Sequence, residues 1–251
     1  MNRESITSSP VSTLEDWRLR EYKVVTSTNL IAAAMPSWTA VRADVQTNGR
    51  GRFQRTWVSD LGGLWLSAVV PLNEDPLMRR ALPLATGLAI HNVLRGLGVM
   101  GLRLRWPNDV LVKDRKLAGL LIDQFVPGFA VIGIGVNLSN EPEKLDPALA
   151  NATARLADLL PMPPTLAELT ALILRHLRQV LSDLDRNGAA ALFERVNKLW
   201  ASPRRVELDL DRLVRSGLFM GLDETGRLVL SDDHGALSFY DAHQVRHLTE
   251  I

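Results

Sequence analysis

The sequence predicts an α+β fold: a mixed, mostly antiparallel central sheet with packed helices, followed by a small β-barrel. Short apolar runs broken by turn residues predict adjacent strands, and two long segments show helical periodicity. The last stretch, about 50 residues, has strand-like runs and is too small to be very stable alone. We therefore expect a flexible segment at 1–20, a main domain at 21–200 and a β-module at 201–251 that packs on it.

The first half of the main domain contains both helix and strand signals. The segment Ser27-Thr28-Asn29 precedes an alanine-rich run and suits the start of a helix, because hydroxyl and amide side chains favour the N-cap. The next predicted elements are a strand at 39–45, an irregular loop at 46–57, a buried strand at 62–72 and a helix at 76–97 that ends at Gly98.

In the second half, short turns separate apolar runs, which predicts neighbouring strands. A long helical segment at 165–200 interrupts this pattern, and Asn187-Gly188 divides it into two helices. The predicted strands are 103–106, 109–112, 117–125 and 129–138 before the helices, and 205–210, 214–222, 227–232 and 237–240 after them.

The composition excludes several classes of protein. Hydrophobic residues make up 46% and charged residues 23%, with a net charge of +1, so a concentrated nucleic-acid-binding surface is not expected. The absence of cysteine excludes disulfides, thiolate zinc sites and cysteine nucleophiles. The first residues lack the apolar core of a signal peptide, and no run approaches the roughly 20 apolar residues of a membrane span. We expect a cytoplasmic protein without membrane contact.

Residues 46–57, here named the Gly-Arg loop, are the first candidate for chemistry. Arg50, Arg52 and Arg55 lie close together in it, beside glycines. Because arginine stays charged and offers planar donors, such a loop suits a carboxylate or a phosphate. A solvated basic loop is the alternative, and for this motif alone it is the better explanation.

The Arg105-Trp106-Pro107-Asn108-Asp109 motif joins two predicted strands. Taken by itself, the motif is well explained as a hairpin corner, since Pro107 interrupts pairing and Asn108 favours a turn. The functional interpretation is that Asp109 presents its carboxylate to a hydroxyl, an amide or a metal-bound phosphate.

Lys116 enters an apolar strand, where a buried ammonium would need a partner. It either reaches solvent at the start of the strand or directs its charge at a reacting carboxylate or phosphate. Gly133 and Gly135 interrupt the next strand, which indicates either close approach of a ligand or tight packing. These residues by themselves leave both pairs of alternatives open.

Together and in this order, the motifs resemble the catalytic domain of biotin–protein ligases, in a short form without the N-terminal DNA-binding domain. Residues 24–140 contain the strong motifs STN, QTNGRGRFQRTW, GGLWLS, RWPND, KDRKLAGLLID and VIGIGVNLS. The resemblance implies a fold like that of class II aminoacyl-tRNA synthetases, with a C-terminal SH3-like β-barrel. It also implies a biotin–[biotin carboxyl carrier protein] ligase that uses ATP and Mg²⁺, forms biotinyl-5′-AMP and transfers biotin to a lysine of a carrier domain of a carboxylase.

The resemblance assigns roles to individual residues. Catalytic roles are implied for Arg50, Arg52, Asp109 and Lys116, and Asp109 is expected to orient the carrier's amine or accept its proton. Biotin contacts are implied for Ser27, Thr28, Asn29, Gln46, Gly49, Arg50, Arg52, Trp57, Lys116, Gly119 and Gly133. Nucleotide contacts are implied for Arg52, Arg55, Trp57, Asn108, Asp109, Lys116 and Asn137, and no metal ligand is assigned.

The chain departs from the family pattern at two places that bear on the site. Arg105 stands where many relatives have lysine, which keeps the charge but enlarges the head group. Ala242-His243 replaces a Gly-Glu pair near the end, which leaves the role of the β-module open.

Three other interpretations compete with a biotin ligase. A lipoate or octanoate ligase or transferase shares the core fold, but its usual Arg-Arg-x-Ser-Gly-Gly-Gly stretch is missing. A non-catalytic biotin-binding or repressor protein would not need Lys116 and Asp109, and about 25 residues before the core are too few for a helix-turn-helix, so specific DNA binding is not expected. A structural protein with chance motifs is the third. A homodimer formed through a sheet edge is a hypothesis that the sequence leaves open.

Overall fold

A computed structural model describes residues 11–72, 74–125, 127–200 and 203–251. These residues form one eight-stranded sheet with helices against it and a second, five-stranded sheet near the C-terminus. The predicted α+β class is therefore confirmed. The SH3-like barrel and the domain boundaries at 21–200 and 201–251 stay predictions.

The large sheet is mixed, as the sequence predicts. Its strand order is β1-β2-β3-β4-β8-β7-β6-β5, and within it β2 and β3 pair in parallel while the other neighbours are antiparallel. The strands are β1 (Ser12–Leu14), β2 (Trp17–Val25), β3 (Thr39–Gln46), β4 (Leu64–Pro71), β5 (Leu102–Arg105), β6 (Asp109–Val112), β7 (Arg115–Asp123) and β8 (Phe129–Val136).

Within the described ranges, three α-helices accompany the sheet: α1 (Thr28–Ala32), α2 (Pro76–Gly96) and α3 (Leu166–Trp200). Helix α2 begins where predicted, because Asp75 accepts a hydrogen bond from the Leu77 N–H and proline occupies the first helical position. Gly188, with φ of 76°, kinks α3 at the predicted division. Helices α2 and α3 pack together and bury their apolar faces in the same core as the sheet.

The expectation of a flexible segment at 1–20 is wrong for its described part. Strand β1 and the start of β2 lie there, and the Trp17 side chain is fully buried, with its indole N–H donating to the Leu174 carbonyl. Residues 1–10 lie outside the described residues. The missed signal is the alternation of Trp17 and Leu19 with arginines, which is typical of a strand.

The second sheet contains β9 (Arg204–Asp209), β10 (Val214–Leu222), β11 (Leu228–Ser231), β12 (Leu237–Tyr240) and β13 (His247–Glu250), in the order β12-β11-β10-β9-β13. All neighbours are antiparallel. Its apolar residues join the core of the main sheet, and the rings of Trp200 and Phe219 lie 4.9 Å apart. The expected packing on the main domain is therefore confirmed, whereas β13 was not predicted.

Candidate active site

A cavity of about 220 Å³ lies between the large sheet, the Gly-Arg loop and the end of the second sheet. The start of α1, the corner between β5 and β6, and strands β7, β8 and β13 all contribute side chains to its wall. Among the described residues that line it are six cationic side chains and the carboxylate of Asp109. The cavity is therefore suited to an anionic ligand.

At one end of the cavity, uncharged polar groups form a hydrogen-bonded cluster. Gln46 Oε1 accepts from the backbone N–H and the hydroxyl of Thr28 at 2.8 and 2.9 Å, and Gln46 Nε2 donates to Ser59 Oγ at 2.9 Å. Ser67 Oγ lies 2.7 Å from Thr28 Oγ1 and 2.6 Å from Asn29 Oδ1, and it is fully buried. We name Thr28, Asn29, Gln46 and Ser67 the neutral cluster.

Strand geometry brings the neutral cluster together. Ser67 on β4 pairs with Gly133 on β8, and a Cβ at Gly133 would lie 2.5 Å from Asn29 Oδ1. The missing side chain at Gly133 thus leaves room for Asn29, whose Nδ2 donates to Asp123 Oδ2 at 2.8 Å. Of the two explanations for this glycine, tight packing is the one observed.

At the other end, Asp109 lies between two cations. Arg105 Nη2 donates to Asp109 Oδ2 at 2.7 Å, and Lys116 Nζ forms an ion pair with Oδ1 at 2.6 Å. Burial by itself would raise the pKa of Asp109, but the charges of Lys116 and Arg105 outweigh it and hold the pKa below its usual value. Asp109 is therefore a carboxylate. The corner between β5 and β6, which the motif alone explains as a plain turn, also positions this ionic group. We name Arg105, Asp109 and Lys116 the charged cluster.

Trp57 separates the two ends. Its ring lies 4.9 Å from Lys116 Nζ, and a Cβ at Gly119 or Gly135 would come within 2.8 Å of the ring. Those two glycines therefore make room for an aromatic wall. The Trp57 indole N–H is buried without a hydrogen-bond partner among the described residues, so it is free to donate to a ligand.

The Gly-Arg loop is more ordered than predicted. Arg50 and Thr56 form a bridge, and a short 3₁₀ turn spans Arg52–Gln54. The left-handed residues at its tip are Phe53 and Gln54, with φ of 55° and 60°, and not the glycines. A Cβ at Gly49 would lie 2.3 Å from Ser59 Oγ, so this glycine serves packing, and it does not line the cavity.

Arg52 connects the loop to the second sheet. Its Nη2 donates to the backbone carbonyl of Val245 at 3.0 Å and to that of Ala242. The guanidinium also lies over the Phe53 ring, 4.9 Å from its centroid. Arg52 lines the cavity, yet this nitrogen is engaged by protein carbonyls, which the sequence did not predict.

Most of the remaining predicted residues line the cavity, and two of them bond to the backbone. Asn108 Nδ2 donates to the Leu120 carbonyl at 2.8 Å, and Asn137 Nδ2 donates to the Lys116 carbonyl at 3.3 Å. These contacts brace the strands that present Asp109 and Lys116. Ser27, Arg50 and Arg55 also lie in the cavity wall.

A sequence model of the Biotin/lipoate A/B protein ligase family matches residues 22–137. A biotin–[acetyl-CoA-carboxylase] ligase of Mycobacterium tuberculosis is 33% identical over 245 residues, which cover 91% of this chain and 90% of that protein. The chain belongs to the biotin/lipoate A/B protein ligase family. The expected family and the expected class of enzyme, a ligase, are thereby confirmed.

Two further relatives of this family are informative. The bifunctional ligase/repressor BirA of Escherichia coli is 34% identical over 208 residues, and the match spans 79% of this chain but 63% of that longer protein. The structure of a biotin protein ligase from Aquifex aeolicus, in complex with biotin and ATP, superposes with a TM-score of 0.81 at 25% identity. That match covers 93% of this chain and 99% of the Aquifex chain.

Sequence reasoning missed several residues that line or support the site of this family member. Ser67 is a polar residue inside an otherwise apolar strand, and that contrast was a usable signal. Arg105 was noted as a departure but not as the partner of Asp109. His247 at the start of β13 and Arg246 just before it line the cavity, and they were missed because that strand was not predicted.

The described residues contain no cluster of three or more histidine, cysteine or acidic side chains that could hold a metal ion. They also contain no helix with the length and apolar character required to cross a lipid bilayer.

Proposed function

We propose that the protein joins biotin to AMP at the expense of ATP and then transfers the biotinyl group to a lysine of a biotin carboxyl carrier domain. The relative from M. tuberculosis carries the name of this activity, and the similar Aquifex structure holds biotin and ATP. The observation on which the proposal rests most is that a single cavity contains both a neutral hydrogen-bonding end and a cationic end.

The neutral cluster suits the ureido ring of biotin. That ring has two N–H donors and one carbonyl acceptor, all of which need partners when they leave water. Thr28 and Gln46 in the cavity wall carry hydroxyl and amide groups that donate and accept hydrogen bonds, and the fully buried Ser67 hydroxyl holds Thr28. The dithiolane ring of lipoate lacks N–H and carbonyl groups and would leave such a site poorly satisfied, so the cluster favours biotin.

The cationic end suits the meeting of two anions. The biotin carboxylate and the triphosphate of ATP repel each other, and six cationic side chains in the wall reduce that repulsion. A biotin carboxylate oxygen attacks the α-phosphorus, the new P–O bond forms, and the bond to pyrophosphate breaks with its electron pair leaving on pyrophosphate. Lys116 and Arg50 are the residues we assign to stabilise the charge that develops on the phosphate oxygens.

The side chains available as metal ligands determine how Mg²⁺ would be held. The carboxylate of Asp109 is already engaged by Arg105 and Lys116, and no acidic cluster accompanies it among the described residues. A protein-only site for Mg²⁺ therefore does not fit these residues. Mg²⁺ prefers phosphate oxygens and water, so we propose that it enters with ATP.

Intact-mass measurement tests the proposal. The full chain is incubated with biotin, Mg-ATP and a carrier domain, and the expected result is one added biotinyl group on the carrier. A carrier whose target lysine is replaced by arginine serves as the control and stays unmodified. Modification of a lipoyl domain by lipoate or octanoate, with no biotinylation in parallel samples, would instead establish the rival acyl ligase.

The proposal does not include the repressor activity named for the E. coli relative. We expect no retardation of a specific DNA sequence in a gel shift at physiological salt, compared with a scrambled sequence of equal length. Sharp retardation of one sequence would add a second function. A homodimer stays a hypothesis, and sedimentation of the protein with and without biotin and ATP tests it.

A further inference from the structure

Transfer of biotin to a carrier requires a group that accepts a proton from the attacking amine, and Asp109 is poorly suited to this task. Both of its oxygens are engaged, one by Arg105 at 2.7 Å and the other by Lys116 at 2.6 Å. A carboxylate held in this way is a weak base, because protonation would break contacts with two cations. The cavity therefore needs another acceptor.

His247 is the one imidazole that lines this cavity among the described residues. It begins β13 of the second sheet, is exposed to solvent and so stands at the rim, where a carrier lysine would enter. Its Nδ1 lies 3.4 Å from Arg55 Nη1 of the Gly-Arg loop. At 3.4 Å and in contact with solvent, this interaction is weaker than the two short ion pairs of Asp109, so a ring nitrogen is available to take a proton.

We propose that His247 is the general base of the transfer step, a role that rests on the proposed biotin ligase function. The incoming ammonium first loses one proton to solvent, because only the neutral amine has the lone pair that attacks a carbonyl carbon. The neutral amine then attacks the biotinyl carbonyl carbon. As the C–N bond forms, the C–O bond to the phosphate breaks, AMP leaves with the electron pair, and His247 takes the remaining excess proton from the nitrogen.

The charges around the imidazole support this role. Loss of hydration, followed by the positive charges of Arg105 and Arg55, lowers the pKa of His247 below its ordinary value, and Lys116 acts in the same direction. Asp109 is the opposing charge. The ring is therefore neutral at pH 7 and becomes protonated only in more acidic solution.

His247→Gln separates the two half-reactions. In the full chain, we expect transfer from preformed biotinyl-AMP to the carrier domain to slow by about 100-fold at pH 7, in line with the usual contribution of a general base. Biotin-dependent ATP–pyrophosphate exchange is expected to change by less than about threefold, because that step moves no proton to a base. His234→Gln, in an exposed turn between β11 and β12, is the matched control and should behave as wild type in both assays.

The pH dependence of the transfer rate gives a second measurement, which would not change if His247 had a purely structural role. The wild-type transfer rate should rise with pH through an inflection below the ordinary histidine value of about 6.5, and His247→Gln should lack that inflection. Transfer at the wild-type rate, equal losses in both half-reactions or an unchanged inflection would each overturn the proposal. Absence of biotin-dependent exchange in the wild type would instead refute the proposed function.

Discussion

At one end of the cavity, Thr28, Gln46 and Ser67 are uncharged and hydrogen-bond to one another, while at the other end Asp109 lies between Arg105 and Lys116. The neutral cluster carries no net charge, so it adds selectivity through the geometry of its donors and acceptors. The charged cluster retains excess positive charge and so attracts anions. The difference indicates that binding energy for biotin and assistance to the chemistry come from separate parts of one cavity.

The largest expected effect concerns the charged cluster. Lys116→Ala should slow biotin-dependent ATP–pyrophosphate exchange by about 10²–10³-fold, because one donor to the developing phosphate charge is lost. Affinity for biotin alone, measured by calorimetry, should change far less. Lys198→Ala, an exposed lysine on α3, is the control of equal charge change. Full exchange activity in Lys116→Ala would show that the two ends do not differ in this way.

The second prediction concerns stability and its dependence on pH. Asp109→Asn removes the anion between two cations and should lower the free energy of unfolding by about 3 kcal/mol at pH 7. Because the folded-state pKa of Asp109 lies below its unfolded value, this contribution is present above about pH 4 and is lost as the pH falls through the lowered folded pKa. Urea unfolding of wild type and variant across this range tests it, and a difference that stays constant in acid would contradict it.

The third prediction concerns the link between the Gly-Arg loop and the second sheet. Arg52→Gln removes charge-assisted hydrogen bonds to two backbone carbonyls and should reduce the free energy of local opening by about 1.5 kcal/mol. Hydrogen–deuterium exchange of 50–56 measures this opening. Arg186→Gln, on the exposed side of α3, should leave that exchange unchanged. Unaltered protection in Arg52→Gln would mean that other contacts hold the loop.

The smallest effect is expected at the neutral cluster. Ser67→Ala removes a buried hydroxyl that lies between Thr28 and Asn29, and it should weaken biotin binding by about fivefold, or about 1 kcal/mol. Exchange at saturating biotin should be nearly normal. Ser216→Ala in the second sheet is the control. If Ser67→Ala lowered the turnover rate by a larger factor than it lowered the affinity for biotin, the neutral cluster would not be limited to binding, and the proposed difference between the two ends would be wrong.

The order of elements was accessible from the sequence, because apolar periodicity and turn residues are local signals. Helix α2 and strands β5 to β8 lie where their patterns predict. Strand β13 is short and pairs with β9, which is distant in sequence, so no local pattern could fix it. Strand β1 forms a local hairpin with β2, but its three residues carry no alternating apolar pattern.

Part of the candidate site could also be predicted from the sequence, because its motifs are local signals. Motifs in the chain identified Lys116, Asp109 and the arginines as candidates, and the structure places them around one cavity. Arg105 lies only four residues from its partner Asp109, across the β5–β6 corner, so that contact is local. The contact of Arg52 with the second sheet and the approach of His247 depend on tertiary packing. Residue type and spacing carry no information about such contacts.

The acceptors of Arg52 are main-chain oxygens, and this has a consequence for how the protein tolerates sequence change. Every amino acid offers the same carbonyl, so replacement of the Ala242 side chain leaves the acceptor in place. The side chain at position 52 cannot vary in this way, because it must supply the hydrogen-bond donor. A saturation library should therefore accept many residues at 242 and few at 52.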